Sequence, residues 1–188
     1  MSTESIEDAA VGLLAAGTST RFGSDKRLHL IEGKPMILRT ADQYKKVFSN
    51  LFIVIKESDE EISQILQPLH PSMVVAANAH EGMGASLAAG VESAADYPNL
   101  FIALADMPYV ETNTLQRLYE ILVPNGIVRP VYQGTPGHPV GFTREYYPEL
   151  TMLQGDTGAR EVIRNNLRSL VQLWVNDSGV LRDVDRPE

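Results

Sequence analysis

From Leu14 to Leu28 the chain reads Leu14-Ala15-Ala16-Gly17-Thr18-Ser19-Thr20-Arg21-Phe22-Gly23-Ser24-Asp25-Lys26-Arg27-Leu28. Glycines and small side chains let backbone N–H groups approach an oxyanion closely. Ser19 and Thr20 add hydroxyl donors, and Arg21, Lys26 and Arg27 concentrate positive charge. Together these residues have the makeup of a phosphate cradle. It is not a Walker A loop, because Lys26 neither directly follows Gly23 nor precedes a Ser or Thr. The competing reading is a solvated loop with ordinary surface charges.

Five further stretches carry residue types suited to chemistry. Gly82-Met83-Gly84-Ala85-Ser86-Leu87 falls between an expected strand and an expected helix, but Leu87 stands where a dinucleotide fingerprint has its third glycine. Ala105-Asp106-Met107-Pro108 closes an apolar run. A carboxylate at the end of a strand faces the ligand crevice of an open α/β sheet and suits Mg²⁺, which takes few protein ligands beside phosphate oxygens. Helix capping by Asp106 is the competing reading. Gly134-Thr135-Pro136-Gly137-His138-Pro139-Val140 makes a shaped loop in which His138 can hydrogen-bond a substrate. Gly155-Asp156-Thr157-Gly158-Ala159-Arg160 reads either as ligand-facing or as a helix capped by Asp156 or Thr157. In Asp183-Val184-Asp185, alternate residues of a strand would aim both carboxylates at one cation; a solvated acidic tail is the alternative. A polyphosphate cradle, a strand-end Asp and an acidic pair are the parts needed for metal-assisted phosphoryl or nucleotidyl transfer.

The elements that must position these residues follow from the apolar pattern. Strands are expected at Ala9–Ala15, Leu51–Lys56, Met73–Ala77, Leu100–Ala105 and Gly126–Val131. Helices are expected at Met36–Val47, Ser58–Leu66 (with Ser58 as cap), Gly84–Ala95 and Glu111–Leu122. Short apolar runs alternating with amphipathic stretches indicate βαβ units around a mostly parallel sheet with helices on both faces, a doubly wound α/β fold. Towards the C-terminus, Pro139–Phe142 and Leu170–Val175 read as strands and Gly158–Asn166 as a helix. A length of 188 residues suits a single domain spanning 1–188.

Composition excludes several classes. Lys and Arg number 16 against 24 Asp and Glu, giving 16 − 24 = −8, so a general nucleic-acid binder is not expected. With no cysteine there is no disulfide scaffold, zinc finger, iron–sulfur cluster or Cys nucleophile. No apolar run nears the roughly 18 residues that span a bilayer. The start, MSTESIEDAA, lacks the basic and apolar segments of a signal peptide, so the expectation is a cytoplasmic protein without membrane contact.

The order Leu14-Ala-Ala-Gly-x-Ser-x-Arg-Phe-Gly-x-x-Lys26-x-Leu28 resembles the signature of the MobA-like nucleotidyltransferases. Gly82-Met-Gly-x-Ser-Leu87, Ala105-Asp-Met-Pro108, Gly137-His-Pro-Val140, Gly155-Asp-x-Gly-Ala-Arg160 and Asp183-Val-Asp185 narrow the resemblance to the molybdenum cofactor cytidylyltransferase (MocA-like) branch. Ala15-Ala16-Gly17 is more like the CTP-using enzymes than the Ala-Gly-Gly of those using GTP. One departure is Arg186, where the branch carries Thr.

The resemblance implies a Rossmann-like nucleotidyltransferase fold and a Mg²⁺-dependent reaction. The terminal phosphate of molybdopterin cofactor attacks the α-phosphate of CTP and pyrophosphate leaves. It implies that Leu14, Ala15, Ala16 and Gly17 border the nucleotide, that Arg21 and Lys26 neutralise the triphosphate, and that Gly82, Gly84 and Ser86 contact the nucleoside. Asp106 and Asp185, with Asp183 as a weaker candidate, would hold the metal. His138, Asp156 and Arg160 would line the acceptor side, and a transient contact with a molybdenum hydroxylase is implied for product delivery. The alternatives are another NTP or phosphorylated acceptor, a non-catalytic cofactor carrier or chaperone of the same fold, and an oxidoreductase, to which the Gly82 pattern gives little support.

Overall fold

Apolar residues buried on both faces build the centre of the sheet. Ala9, Ala10, Val11 and Leu13 of β1 (Ile6–Leu14) are all fully enclosed, the pattern of an inner parallel strand. Residues 5–17, 24–122 and 126–185 are described in a computed structural model. After β1 come the short hairpin β2 (Leu30–Ile31) and β3 (Lys34–Pro35), α1 (Met36–Lys45), β4 (Phe48–Ile55), α2 (Glu60–Leu66), β5 (Ser72–Val75), α3 (Met83–Ser93), β6 (Asn99–Leu104) and α4 (Thr112–Ile121). Then follow β7 (Ile127–Tyr132), β8 (Thr135–Pro136), β9 (Val140–Thr143), α5 (Tyr147–Thr151), α6 (Arg160–Asn165) and β10 (Leu170–Trp174).

The sheet runs β10-β7-β9-β6-β1-β4-β5, with β8 paired to β7. β1 is parallel to β4 and β6, β4 to β5, and β7 to β10, while β9 is antiparallel to β6 and β7. Helices cover both faces. Ile37, Ala41 and Tyr44 of α1, Ile62 and Leu66 of α2, and Leu115 and Leu118 of α4 pack on one side. On the other lie Leu87 and Val91 of α3, Leu150 of α5, and Val162 and Ile163 of α6. In α1 the buried positions are 36, 37, 40, 41 and 44, the stripe expected of a helix laid on a sheet.

The fold is thus the mostly parallel α/β sheet read from the pattern, with ends shifted by a few residues. The short pieces β2, β3, β8 and α5 were not legible there. Three local readings are corrected. Ser58 does not cap α2, whose N-cap residue is Asp59, and the Asp59 carboxylate is bound to Arg27 rather than to the helix. Neither Asp156 nor Thr157 caps α6, which starts after Ala159 without a side-chain cap. Asp183 and Asp185 lie on irregular chain after a 3₁₀ turn (Ser178–Leu181), not on a strand. Among the described residues no helix is long and apolar enough to cross a membrane.

Candidate active site

Strand order reverses at β1, with β4 on one side and β6 on the other, and such a reversal opens a crevice at the carboxyl ends of the strands. Ala15, Ala16 and Gly17 leave β1 there, and Ala105 and Asp106 leave β6 beside them. The Ala15 N–H donates to the Val54 carbonyl and the Ala105 N–H to the Leu14 carbonyl, so both exits stay in register with the sheet. The buried Thr40 hydroxyl lies 2.9 Å from the carbonyls of Met36 and Ala105, tying the end of β6 to α1.

A cleft of about 380 Å³ opens over this switch point. Leu14, Ala15, Ala16, Gly17, Lys26, Gly82, Ser86 and Asp106 line it, as does Asp156, and so do Ala79, His80 and Met83, which sequence reasoning missed. Gly84 is not in the lining; its N–H donates to the Gly155 carbonyl at 2.8 Å, and a Cβ on it would lie 2.9 Å from the Gln154 backbone. Gly82 combines a φ of +118° with a Cβ position only 2.4 Å from the Gly155 carbonyl, so only glycine fits. These two glycines let the 153–158 loop close on the start of α3. Ser19, Thr20, Arg21 and Arg186 lie outside the described residues.

Charge at the cleft is organised around Lys26. Its ammonium lies 2.5 Å from Asp106 Oδ2 and 3.1 Å from Asp185 Oδ1. Burial opposes its charge, but Asp106 and then Asp185 outweigh that cost and hold the ammonium above the usual lysine range. One carboxylate oxygen from each of Asp106, Asp183 and Asp185 lies within 4.8 Å of the others. Partial burial, and then the negative charge of Asp185, push the Asp183 carboxyl up from its ordinary value. Three clustered oxygen donors suit a hard divalent cation. Asp106 does not cap α4, which begins only at Thr112 after Glu111. The C-terminal segment is carried to Asp106 by backbone pairing, in which the Val184 N–H donates to the Asp106 carbonyl at 2.9 Å.

Arg27, read from the sequence as part of the loop's positive charge, faces the other way. Buried to 7 % exposure, it binds Asp59 through both Nη atoms at 2.6 and 2.7 Å, Asp25 through Nε and Nη2, and the Ala15 carbonyl at 2.8 Å. Although it touches the cleft lining, its donors are turned to these partners, so it clamps the loop instead of offering free charge.

A second cavity, of about 630 Å³, adjoins the cleft, and Leu14, Met83, Leu104 and Asp156 line both. The antiparallel β9 explains its position. Val140 pairs with Ile102, so the amino end of β9, which His138 precedes by two residues, meets the carboxyl end of β6. The His138 N–H donates to the Val180 carbonyl at 2.9 Å. Burial pulls the imidazole pKa down, partly offset by Asp106, so at neutral pH the ring is uncharged. Arg160 lines this cavity from the start of α6.

A MobA-like NTP transferase domain matches residues 11–171. The chain belongs to the MobA-like NTP transferase family. It is 29% identical over 188 residues to the purine catabolism protein PucB of Bacillus subtilis, covering 93% of this chain and 90% of that protein. A probable molybdenum cofactor guanylyltransferase of Natronomonas pharaonis is 29% identical over 110 residues, 57% of this chain and 54% of that one. Rv0371c of Mycobacterium tuberculosis shares the fold with a TM-score of 0.85 at 24% identity, over 97% of this chain and 95% of that one. A second Rv0371c structure, a manganese complex, has a TM-score of 0.77 at 22% identity, over 89% and 88% of the two chains. The family makes this chain a nucleotidyltransferase.

Proposed function

We propose that this MobA-like protein transfers CMP from CTP to the terminal phosphate of molybdopterin cofactor and releases pyrophosphate. The observation that carries the reading is the junction of two cavities at Asp156 and Met83, beside the Lys26–Asp106–Asp185 cluster. The smaller cleft, over the Ala15-Ala16-Gly17 turn, takes the nucleotide, and the larger cavity takes the acceptor.

An acceptor phosphate oxygen forms a bond to the α-phosphorus while the bond from that phosphorus to the bridging oxygen breaks, and the electron pair leaves with pyrophosphate. The nucleophile is already anionic, so no strong general base is needed, in keeping with an uncharged, half-buried His138. Catalysis then rests on alignment and on neutralising charge. Lys26 supplies a fixed cation at the strand-end crevice, and Arg21, five positions earlier in sequence, is the second candidate cation. Asp106, Asp185 and Asp183 fit Mg²⁺, which when bound would neutralise phosphate charge and act as a Lewis acid. That Rv0371c, which shares this fold, forms a manganese complex is in keeping with use of a divalent cation by this chain. The guanylyltransferase relative makes GTP the competing nucleotide, whereas Ala15-Ala16-Gly17 favours CTP.

The test is a panel of CTP, GTP, ATP and UTP with Mg²⁺, scored for pyrophosphate release with and without molybdopterin cofactor. Release with CTP that depends on the acceptor is expected. Preference for GTP, or release indifferent to the acceptor, would overturn the reading.

A further inference from the structure

Among the described residues, four buried side-chain nitrogens or oxygens have no hydrogen-bond partner, and two of them, Arg129 Nε and His138 Nδ1, belong to residues lining the larger cavity. Arg129 sits in β7 between Val128 and Pro130, an arginine set into an otherwise apolar strand. The Gly137 N–H donates to the Pro130 carbonyl at 2.9 Å, which joins the β7 stretch holding Arg129 to the loop holding His138. No ion pair to Arg129 occurs among the described residues. Elsewhere in this molecule a buried arginine is fully matched: Arg27 has two carboxylates and a carbonyl. Nε is out of reach of water, so a ligand in the cavity meets this guanidinium first at its Nη nitrogens, which make no hydrogen bond among the described residues; an acceptor there offsets the cost of holding the unmatched group half-buried.

The rest of the cavity narrows the ligand. Leu87, Ile102, Val140 and Ile163 give it an apolar wall, while Arg160 and Arg164 add positive charge on the α6 side. Arg164 is already matched to Glu161, at 3.7 Å, and Asp156 offsets one more charge, so Arg129 and Arg160 together leave the lining a small surplus of positive charge.

We propose that Arg129 is a specificity-determining residue that grips an anionic oxygen group on the body of the acceptor, apart from the phosphate that reacts. The inference rests on the larger cavity being the acceptor side. The acceptor class is then an apolar or heteroaromatic body carrying a reacting phosphate at one end and a second anionic group at the other. Arginine suits the task because its planar fork holds an oxygen pair in fixed geometry.

Two measurements test this on the intact protein. With the arginine side chains labelled with ¹⁵N, and the Arg129 Nε signal assigned through Arg129→Lys, inorganic phosphate should shift the Arg129 signal in a saturable way. It should leave Arg39 Nε, buried and equally unpartnered but outside this cavity, where it was. An unmoved Arg129 signal overturns the proposal. In kinetics with molybdopterin cofactor, Arg129→Leu should raise the acceptor KM about 10- to 100-fold, the loss of one charge-assisted hydrogen bond. The KM for CTP and kcat should not change, and Arg129→Lys should fall between. Because the guanidinium has no partner among the described residues, Arg129→Leu should melt at or above the wild-type temperature. A lowered melting temperature with an unchanged acceptor KM would make Arg129 structural. If the wild type transfers no CMP at all, the reaction assigned above fails, while the phosphate titration still decides the anion subsite.

Discussion

Asp106 is tolerable beside a triphosphate only if positive charge stands between them, and Lys26 at 2.5 Å supplies part of it. Asp106→Asn keeps the shape and loses the charge. Turnover should fall by roughly three orders of magnitude, several kcal/mol of metal-borne stabilisation at 1.36 kcal/mol per tenfold. The melting temperature should hold, because no helix is capped by this residue. Lys26→Ala should slow turnover about 10²–10³-fold in the same steady-state assay. Arg27 predicts the opposite pattern. Arg27→Met leaves Asp25 and Asp59 without their cation and should destabilise the fold by about 3–5 kcal/mol in chemical denaturation. Hydrogen bonds from Arg27 hold Asp25 below its ordinary pKa of 3.8, and at Asp59 they outweigh the opposing effect of burial. Both carboxyls therefore contribute stability above the ordinary carboxylate range, and it is lost as pH falls below about 4. Arg27→Met should flatten that acid limb of a stability–pH curve; an unchanged limb would place the acid sensitivity elsewhere. Adjacent in sequence, Lys26 and Arg27 looked alike there. What separates them is Asp59, more than thirty positions away, which no local pattern connects to the loop.

Between strands and loops, the C-terminal segment matters most for the cluster of carboxylates. Tyr109, on the loop after β6, packs with Ile31, Met36 and Val184, and the Arg182 guanidinium lies 3.9 Å from the centre of its ring. The Asp177 carboxylate accepts from the Glu111 N–H at 2.9 Å, fastening the same segment one step further along. Tyr109→Ala should therefore loosen Asp183 and Asp185. Mn²⁺ affinity by calorimetry should drop about 5- to 30-fold, the scale of a cation–π contact and one apolar packing contact. Tyr109→Phe should restore it, since the ring and not the hydroxyl does the packing; equal affinity in Tyr109→Ala would mean that the segment holds itself. At the other side, Gly84→Ala drives a Cβ into the Gln154 backbone. It should cost about 1–3 kcal/mol of stability, measurable by thermal unfolding. The alternation of strands and helices was readable because a parallel sheet buries nearly continuous apolar runs. The antiparallel direction of β9 was not, because direction depends on the pairing with β6 and β7 and leaves no trace in the run Val140–Thr143. Asp183 and Asp185 converge on Asp106 without a strand, through the Val184 backbone, so the expected grouping arises by a different geometry. His80 went unnoticed because it stands in no patterned run, and Met83 because the glycines and Ser86 around it carried the reading of Gly82–Leu87.

At the scale of the molecule, one reversal of strand order and one antiparallel strand account for the arrangement. The reversal at β1 opens the switch-point cleft, and β9 brings His138 and the second cavity up against it, beside Asp106 and Lys26. In an acidic chain with a net charge of −8, the Lys26 ammonium concentrates positive charge at this junction, where the proposed reading puts an anionic nucleotide. The most direct test of CMP transfer is the mass of the product. The purified protein incubated with molybdopterin cofactor, Mg²⁺ and CTP should yield the cofactor increased in mass by one cytidylyl group, together with an equal amount of pyrophosphate. Unmodified cofactor, or a guanylyl adduct formed in preference when GTP competes with CTP, would contradict the account.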